Sequence, residues 1–557
     1  MEKKEKKNVS WGVVFLLGAL IGALFFINIY GIGILDPTNE GWILNYGGDI
    51  TQHYIGWEFF RDTPWHFPLG LTDGMISGQS VSCMFTDSIP LFALFFKALS
   101  PVLPETFQYW GFWGIFTYSM QGGISSLILY RLSKRPIFSL IGCTVFIVCP
   151  PVMHRMYGHE ALAGQWVLLI ALLSWVCQGR KWRFKASPVI LWSVNGILAV
   201  LVHIYFIPMI YMVMLGYIAT DIFGRKKLLR PIACFISTTV CAIGTMFILG
   251  AFSGGGSYRA GGLGKYSANY NTLFNSQGKA KYIAPLNYLD GQYEGFAYLG
   301  LGIILGGAIA LVFVIASSEG RNPLKCFSRF SRIRKAEIIC MLAIFIISYI
   351  YAASPRGTFN GRVIYDIQLP EKLFGAMSIF RATGRFAWVS EYIVYVSVLF
   401  AISKLSGKRT ALFCVALIAT VQLLDLRVMI KNENMRGAVK KQYEDTLVDP
   451  KWDELAEKAD EIVFAPLPVD YLAYYELFYA FGEYANENDI ELNCFAVARG
   501  NYSSMRDDSD EKLQQVVDGT SEENYIIVFF DEADIPESND NFTVYSLDGY
   551  NVAVNYS

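Results

Sequence analysis

Asp49 and His53 are spaced for acid–base chemistry, because they lie four residues apart in Gly48-Asp-Ile-Thr-Gln-His53. If a helix starts near Asp49, residues four apart share one face, so the carboxylate and the imidazole would be neighbours. A carboxylate in that position can accept the proton of an incoming hydroxyl group, as general base catalysis requires. The alternative is that Asp49 only caps the helix, since Asp is a favoured N-cap residue, and that His53 is a packing residue.

His159 and Glu160 form a second group of ionisable residues, in the short polar segment His154–Ala161. Such a cluster between apolar segments predicts a water-filled cavity, because ionisable side chains are costly in lipid. The pair could orient a substrate hydroxyl, position Asp49, or hold a divalent cation together with it. No HxxxH or DxD spacing supports the cation. A polar loop tip that merely faces water is the alternative.

Arg381 and Arg385 are also four residues apart, so in a helix both guanidinium groups would point the same way. Arginine forks bind phosphate oxygens bidentately, and the pair therefore predicts a phosphate site. The alternative is that both side chains reach ordinary phospholipid head groups from the end of a membrane span.

The elements that must position these residues are predicted from clusters of Lys and Arg that separate long apolar runs. Short loops rich in Lys and Arg stay in the cytoplasm, and about 20 apolar helical residues cross a bilayer. The sequence predicts an α-helical polytopic membrane protein of about eleven spans, with a cytoplasmic amino terminus and a long first outer loop at 36–105. The basic clusters are Lys3–Lys7, Arg131–Arg135, Arg180–Lys185, Arg225–Arg230, Arg321–Lys335 and Lys404–Arg409. The predicted spans are 11–35, 106–131, 137–153, 162–178, 187–204, 207–223, 232–252, 296–316, 337–352, 387–403 and 410–429.

The chain after residue 430 has a different composition, with nine Lys or Arg against twenty-eight Asp or Glu. We therefore divide the chain into a membrane domain, 1–430, and an acidic extracytoplasmic domain, 431–557. Alternating strand and helix patterns predict a small α/β fold for the second domain. Its strands are predicted at 461–465, 493–498, 525–530 and 542–547, and its helices at 474–485 and 508–517. It contains no GxGxxG motif and no P-loop, so no catalytic role is assigned to it.

The predicted topology and six short motifs resemble the GT-C superfamily, integral-membrane glycosyltransferases that use polyprenyl-phosphate sugars. More narrowly, they resemble an uncharacterised bacterial family of GT-C-like proteins. The motifs are Gly48-Asp-Ile-Thr-Gln-His-Tyr54, Trp65-His-Phe-Pro-Leu-Gly-Leu71, Phe85-Thr-Asp-Ser-Ile-Pro90, Gly158-His-Glu160, Gly291-Gln-Tyr-Glu-Gly-Phe296 and Phe380-Arg-Ala-Thr-Gly-Arg-Phe386. The match spans about residues 10–430.

The resemblance implies that Asp49 is the catalytic base and that Arg381, Arg385 or both bind the donor phosphate. His53, His159, Glu160 and Glu294 are then assigned to substrate binding. No nucleotide or other cofactor is implied. In this sequence His159-Glu160 replaces the acidic motif of metal-dependent members, which argues against a metal requirement and leaves a divalent cation only as an alternative.

The expected function is transfer of a sugar from a polyprenyl-phosphate donor to a cell-envelope acceptor, on the outer side of a bacterial plasma membrane. The expected partners are the lipid-linked sugar, an unidentified acceptor and the lipid bilayer, with no nucleic acid. A flippase for lipid-linked sugars and a non-catalytic assembly scaffold are the alternatives. Few charged residues, among them Glu391 and Asp425, lie within the predicted spans, which favours surface chemistry over transport.

Overall fold

The computed structural model describes residues 9–177, 187–253, 261–316, 328–498 and 500–556, and it is mostly helical. The basic clusters at 3–7 and 180–185, and residues 321–327 of the cluster at 321–335, lie outside the described residues. In chain order the α-helices are α1 Trp11–Tyr30, α2 Gly41–Leu44, α3 Asp49–Asp62, α4 Pro90–Leu99, α5 Trp110–Ser133, α6 Pro136–Ile147, α7 Pro150–Arg155, α8 Glu160–Ala163, α9 Trp166–Val176, α10 Pro188–Val202, α11 Phe206–Ala219, α12 Leu229–Ile248, α13 Leu301–Ala316, α14 Arg332–Ala352, α15 Glu371–Ser378, α16 Ala387–Leu405, α17 Lys408–Asp425, α18 Arg427–Asn432, α19 Lys451–Ala456, α20 Tyr475–Glu487 and α21 Tyr502–Asp518.

Every predicted span coincides with an α-helix or with a pair of shorter ones. Within the described residues, 5 helices are long and apolar enough to cross a membrane. These are Trp11–Tyr30, Phe206–Gly224, Leu229–Ile248, Arg332–Ala352 and Thr383–Leu405. They indicate a membrane protein, whereas the number of eleven crossings and their orientation stay predictions. Several of the other helices are apolar but shorter, for example Pro188–Val202 and Leu301–Ala316.

The chain divides into two compact units. Unit 1 comprises Met1–Leu35, Trp110–Ile243 and Arg259–Arg436. Unit 2 comprises Asp36–Tyr109, Gly244–Tyr258 and Gly437–Ser557. The first outer loop therefore folds with the C-terminal domain, although the sequence division at residue 430 assigns it to the membrane domain.

In unit 1, α1 and α5 pack closely through small residues. A Cβ atom on Gly22 would lie 2.0 Å from the Tyr118 carbonyl oxygen, and one on Gly122 would lie 2.3 Å from that of Gly18. Glycine stripes of this kind let membrane helices approach until their backbones touch. At the end of the same pair, the hydroxyl groups of Tyr30 and Tyr118 form a hydrogen bond of 2.9 Å.

Unit 1 also contains the segment between α14 and α16, which forms a β-hairpin and the short helix α15. Strands β3, Arg356–Phe359, and β4, Arg362–Asp366, pair antiparallel, with a register shift between Gly357 and Thr358. Asn360 and Gly361 make the turn, both at positive φ, as tight hairpin turns require. This segment ends in a 3₁₀ helix, Thr383–Phe386, that leads directly into α16.

In unit 2, the C-terminal domain contains five strands, β5 Glu461–Phe464, β6 Glu491–Leu492, β7 Tyr525–Val528, β8 Thr543–Leu547 and β9 Tyr550–Val554. They form one sheet in the order β6-β5-β7-β9-β8. Strands β5, β6 and β7 are parallel, whereas β9 runs antiparallel to β7 and β8 antiparallel to β9. Val463, Ile527 and Val516 of α21 share one core cluster, and Phe464 packs on Phe478 of α20 with ring centres 4.5 Å apart.

The predicted α/β pattern of this domain is therefore formed, with two errors. The strand expected at 493–498 is the two-residue strand β6 at Glu491–Leu492, and β9 was not predicted. The segment 493–498 departs from the sheet because its backbone bonds elsewhere, for example from the Ala498 N–H to the Phe85 carbonyl at 2.8 Å.

The first outer loop also belongs to unit 2, and hydrogen bonds join it to the C-terminal domain. The Leu492 N–H donates to the Gly74 carbonyl at 2.8 Å, and the Tyr479 hydroxyl donates to the Gly48 carbonyl at 2.8 Å. Gly482 of α20 has no side chain where Ile55 of α3 approaches it. The loop also contains the small hairpin β1, Leu71–Thr72, and β2, Val81–Ser82, as well as α4, Pro90–Leu99.

Candidate functional site

The candidate site of unit 1 begins with three short segments that place Arg155, Glu294 and Arg385. Arg155 is the last residue of α7, a helix that starts with two prolines. Glu294 lies in the 3₁₀ helix Gln292–Gly295, and Arg385 lies in the 3₁₀ helix Thr383–Phe386. The two 3₁₀ helices touch at Gly384, where a Cβ atom would lie 2.6 Å from the Gly295 Cα. Glycine at 384 is therefore what permits Arg385 to come so close to Glu294.

The three side chains form one buried ion-pair cluster. An Arg155 guanidinium nitrogen donates to Glu294 Oε2 at 2.5 Å, and Arg385 Nε donates to the same oxygen at 2.8 Å. The exposed fractions are 5% for Arg155, 8% for Glu294 and 7% for Arg385. Two guanidinium groups therefore share one carboxylate oxygen in this cluster.

The electrostatics keep Glu294 ionised. Burial alone would raise its pKa, but the charges of Arg385 and Arg155 and their hydrogen bonds outweigh burial and lower the pKa to about 2. The neighbouring His154 is affected in the opposite sense, since burial and the charges of Arg155 and Lys279 lower its pKa well below the usual range. His154 is therefore neutral, and the cations here are the guanidinium groups and Lys279.

Tyr205 and His203 extend the cluster. The Arg385 Cζ lies 4.4 Å from the centre of the Tyr205 ring, a cation–π arrangement. The Tyr205 hydroxyl accepts a hydrogen bond from the Ala382 N–H at 3.0 Å. The Tyr205 N–H donates to His203 Nδ1 at 3.1 Å, so a neutral His203 carries its proton on Nε2.

His159 contacts His203 of this cluster, and Glu160 follows it directly in the chain. The rings of His159 and His203 are 5.3 Å apart, and the His159 side chain is almost fully buried. Glu160 begins α8, and its side chain is completely buried. The Trp113 indole N–H donates to the Glu160 carbonyl at 2.9 Å, which fixes the backbone there. The polar loop tip that faces water, the alternative for this segment, does not fit such burial.

Arg381 is separated from Arg385 in structure and in environment. No single helix carries both residues, because α15 ends at Ser378 and the 3₁₀ helix begins at Thr383. The expected common helical face is therefore wrong. Arg381 is exposed, donates to the Gly261 carbonyl at 3.2 Å, and lies 5.3 Å from the Tyr266 ring centre. The partner that accompanies Arg385 is Arg155 instead.

The candidate site of unit 2 lies at the start of α3. The helix begins at Asp49 after Gly48, which occupies the N-cap position without a side-chain hydrogen bond. Asp49 is thus the first helical residue and not the N-cap. Its carboxylate is exposed, whereas His53, one turn further, is 2% exposed. A carboxylate in the first turn is stabilised by the helix dipole and stays accessible to solvent.

The carboxylate beside His53 is that of Asp87. His53 Nε2 lies 3.9 Å from Asp87 Oδ2, too far for a hydrogen bond but close enough for electrostatic attraction. The Asp87 segment crosses α3 at Gly56, where a Cβ atom would lie 2.6 Å from the Thr86 Cβ. The Ser88 hydroxyl donates to the His53 carbonyl at 3.1 Å and holds this crossing.

Four residues of these sites were not predicted: Arg155, His203, Tyr205 and Asp87. Arg155 had a signal, because it lies in the same short polar segment as His159. Asp87 had a weaker one, as part of the Phe85–Pro90 motif. For His203 and Tyr205 the sequence contains no such signal, since both lie within a long apolar stretch.

The fold defines a mostly helical protein with helices long and apolar enough to cross a membrane, and Arg155, Glu294 and Arg385 lie on short segments between apolar helices. Residues 19–427 match a family described as a domain of unknown function, DUF6311, and residues 451–555 match the DUF6311 C-terminal domain. The first match covers well over half of the chain, which therefore belongs to the DUF6311 family. A comparison with curated proteins finds no match.

Proposed function

We propose that this protein is a membrane glycosyltransferase that moves a sugar from a polyprenyl-phosphate donor to a cell-envelope acceptor on the extracytoplasmic side. The observation that carries the proposal is the buried cluster in which Arg155 and Arg385 share one oxygen of Glu294. Two buried guanidinium groups close together suit an anionic ligand, and guanidinium forks suit phosphate in particular.

The proposed reaction is a single displacement at the anomeric carbon. The acceptor oxygen forms a bond to that carbon while the bond from the carbon to the phosphate oxygen breaks. The acceptor proton goes to the Asp49 carboxylate, in the role that the GT-C resemblance implies. The leaving polyprenyl phosphate gains a negative charge, which Arg155 and Arg385 stabilise. His159, with its burial beside His203, is assigned to the sugar, together with Glu160 and His53.

Glu294 takes a different role from the one expected. Its carboxylate accepts hydrogen bonds from both guanidinium groups and holds them in place. In this proposal, Glu294 therefore competes with the donor phosphate for these hydrogen bonds. Arg381 contributes less, because it is exposed and its guanidinium group donates to the Gly261 carbonyl.

The first test measures binding of radiolabelled polyprenyl phosphate, which carries no sugar, to the purified full chain. We expect Arg385→Ala to weaken binding about 10-fold or more, because a hydrogen-bonded charge contributes about 1.5–3 kcal/mol. The matched control is Arg381→Ala, for which we expect a change of less than about 3-fold. Arg385→Lys checks that the loss comes from the guanidinium group and not from misfolding. Equal affinity of all variants, or no binding by the native chain, contradicts the phosphate site.

The second test separates transfer from transport. Proteoliposomes receive a fluorescent polyprenyl-phosphate sugar, and both its movement between leaflets and the loss of its sugar are recorded. Sugar loss that depends on Asp49 supports the transferase. Movement between leaflets that Asp49→Asn leaves unchanged, without sugar loss, supports the flippase and overturns the proposal.

A further inference from the structure

A crevice in unit 2 lies where the carboxyl end of the parallel strand β7 meets the start of α20, the helix that follows β5. The chain leaves β5 through α20 to reach β6 on one side, and later returns through α21 to β7 on the other side. The order β6-β5-β7 therefore reverses direction between β5 and β7, and ligands of open α/β sheets bind at such reversal points. The cavity measures about 630 Å³, within the usual range for a small-molecule site.

Three chain segments form the walls of this crevice. They are the start of α20 at 473–477, the residues after β7 at 529–532, and the turn between β8 and β9 at 549–551. The Phe529 N–H donates to the Asn551 carbonyl at 3.1 Å, which ties the second segment to the third. The tyrosines at the edge, Tyr474 and Tyr475, are 40% and 44% exposed.

The lining combines aromatic rings with carboxylates. The rings belong to Tyr474, Tyr475, Phe529, Phe530 and Tyr550, the carboxylates belong to Glu476, Asp531 and Glu532, and Asn551 adds an amide. Neither Lys nor Arg is among these described lining residues. An anionic ligand such as a nucleotide or a phosphate would be repelled by three carboxylates with no cation to compensate them.

A sugar ring matches this lining on both of its chemical faces. A pyranose presents an apolar C–H face that packs on an aromatic ring, and hydroxyl groups around its rim that donate to carboxylates. The Tyr474 ring packs edge-to-face on Phe530, with ring centres 5.0 Å apart, and stays 40% exposed, so a ligand can reach it.

We propose that this crevice binds a saccharide built of neutral or amino sugars. The inference goes beyond the proposed transferase function, because sugar binding here requires neither Asp49 nor the Arg155–Arg385 cluster. It gives the acidic C-terminal domain a specific task, which is to hold a glycan by stacking on Tyr474 and Tyr475 and by hydrogen bonds to Glu476, Asp531 and Glu532.

The test is binding of the detergent-solubilised full chain to an oligosaccharide microarray that covers neutral, amino and acidic sugars. We expect retention on neutral or amino oligosaccharides. We expect Tyr475→Ala to lower the affinity for the best oligosaccharide at least about 10-fold, whereas Tyr475→Phe, which keeps the ring, stays within about 3-fold. Tyr475 is 44% exposed, so we expect both substitutions to leave folding intact. Leu472→Ala, an exposed neighbour outside the lining, is the matched control.

Several outcomes overturn the inference. Retention on acidic sugars alone contradicts the carboxylate argument, and no retention on any sugar contradicts the site. Equal affinity of Tyr475→Ala and the native chain would place the sugar elsewhere. Stronger binding of an oligolysine peptide than of every sugar, abolished by Glu532→Gln, would show a cationic peptide as the ligand. The two proposals are tested separately, because Asp49→Asn should abolish sugar transfer and leave binding to the microarray unchanged. Loss of microarray binding by Asp49→Asn would contradict a sugar site in the crevice.

Discussion

The two units of this protein hold their charged groups in opposite ways. In unit 1, Arg155, Glu294 and Arg385 are buried, paired and placed by short 3₁₀ or helical segments. In unit 2, Asp49 and the carboxylates of the crevice are exposed. Buried cations suit an anionic ligand that replaces water, whereas exposed carboxylates suit hydroxyl groups and protons. Under the proposed function, we therefore expect phosphate to bind in unit 1 and the carboxylates of unit 2 to meet hydroxyl groups.

The largest effect expected from this comparison is on sugar transfer, through Asp49. Asp49→Asn removes the proton acceptor but keeps the shape of the side chain. We expect the rate of transfer from a labelled polyprenyl-phosphate sugar to fall by about 10²–10⁴-fold. Because Asp49 is exposed, thermal unfolding should change little. Equal transfer by Asp49→Asn and the native chain would remove Asp49 as the base.

A smaller effect of opposite sign is expected in unit 1. Glu294→Gln removes the carboxylate that occupies Arg155 and Arg385, so we expect polyprenyl phosphate to bind about 3–10-fold more tightly. Titration of the purified chain measures the affinity. The matched control is Asp290→Asn, an exposed carboxylate of the same segment, paired with Lys265 at 2.9 Å, which should leave binding unchanged. Weaker binding by Glu294→Gln would mean that Glu294 serves to position the two arginines.

The units should also differ in their response to pH. Burial raises the pKa of Glu483 on α20 from 4.5 to about 8. The hydrogen bond from Tyr443 lowers this pKa, whereas the charges of nearby carboxylates raise it further. Those carboxylates are Glu487, Glu40 and Asp445. Because the folded state keeps a proton that the unfolded state has lost, this contribution to stability is full below pH 4.5 and is lost as the pH rises through about 8. Glu294, with its pKa of about 2, stays ionised throughout that window.

Hydrogen exchange, corrected for intrinsic rates, measures this difference between pH 5 and pH 9. We expect protection of α20 to decrease as the pH rises, and protection around Glu294 to stay constant. Glu483→Gln should remove the pH dependence of α20. A constant protection of α20 in the native chain would contradict the raised pKa.

The sequence predicted helices well because membrane spans are long and apolar, and each predicted span coincides with helix. It also predicted Glu294 and Arg385 as site residues, and the structure pairs them. It could not predict their common partner, Arg155, because the ion pair joins residues 139 positions apart in the chain. Periodicity reports only local neighbours, and it misplaced Arg381 for the same reason, since the helix needed to align it with Arg385 is interrupted.

The smallest effect tests whether the base in unit 2 is assigned to the right carboxylate. Asp87, and not Asp49, lies 3.9 Å from His53 Nε2. If Asp87 only attracts the imidazole, Asp87→Asn should change the transfer rate by less than about 5-fold, since a pair without a hydrogen bond contributes about 1 kcal/mol or less. The same labelled-donor assay measures both variants side by side. The opposite result would be a transfer rate that falls by about 10²–10⁴-fold in Asp87→Asn and is unchanged in Asp49→Asn. That result would identify Asp87 as the base and His53 as its partner.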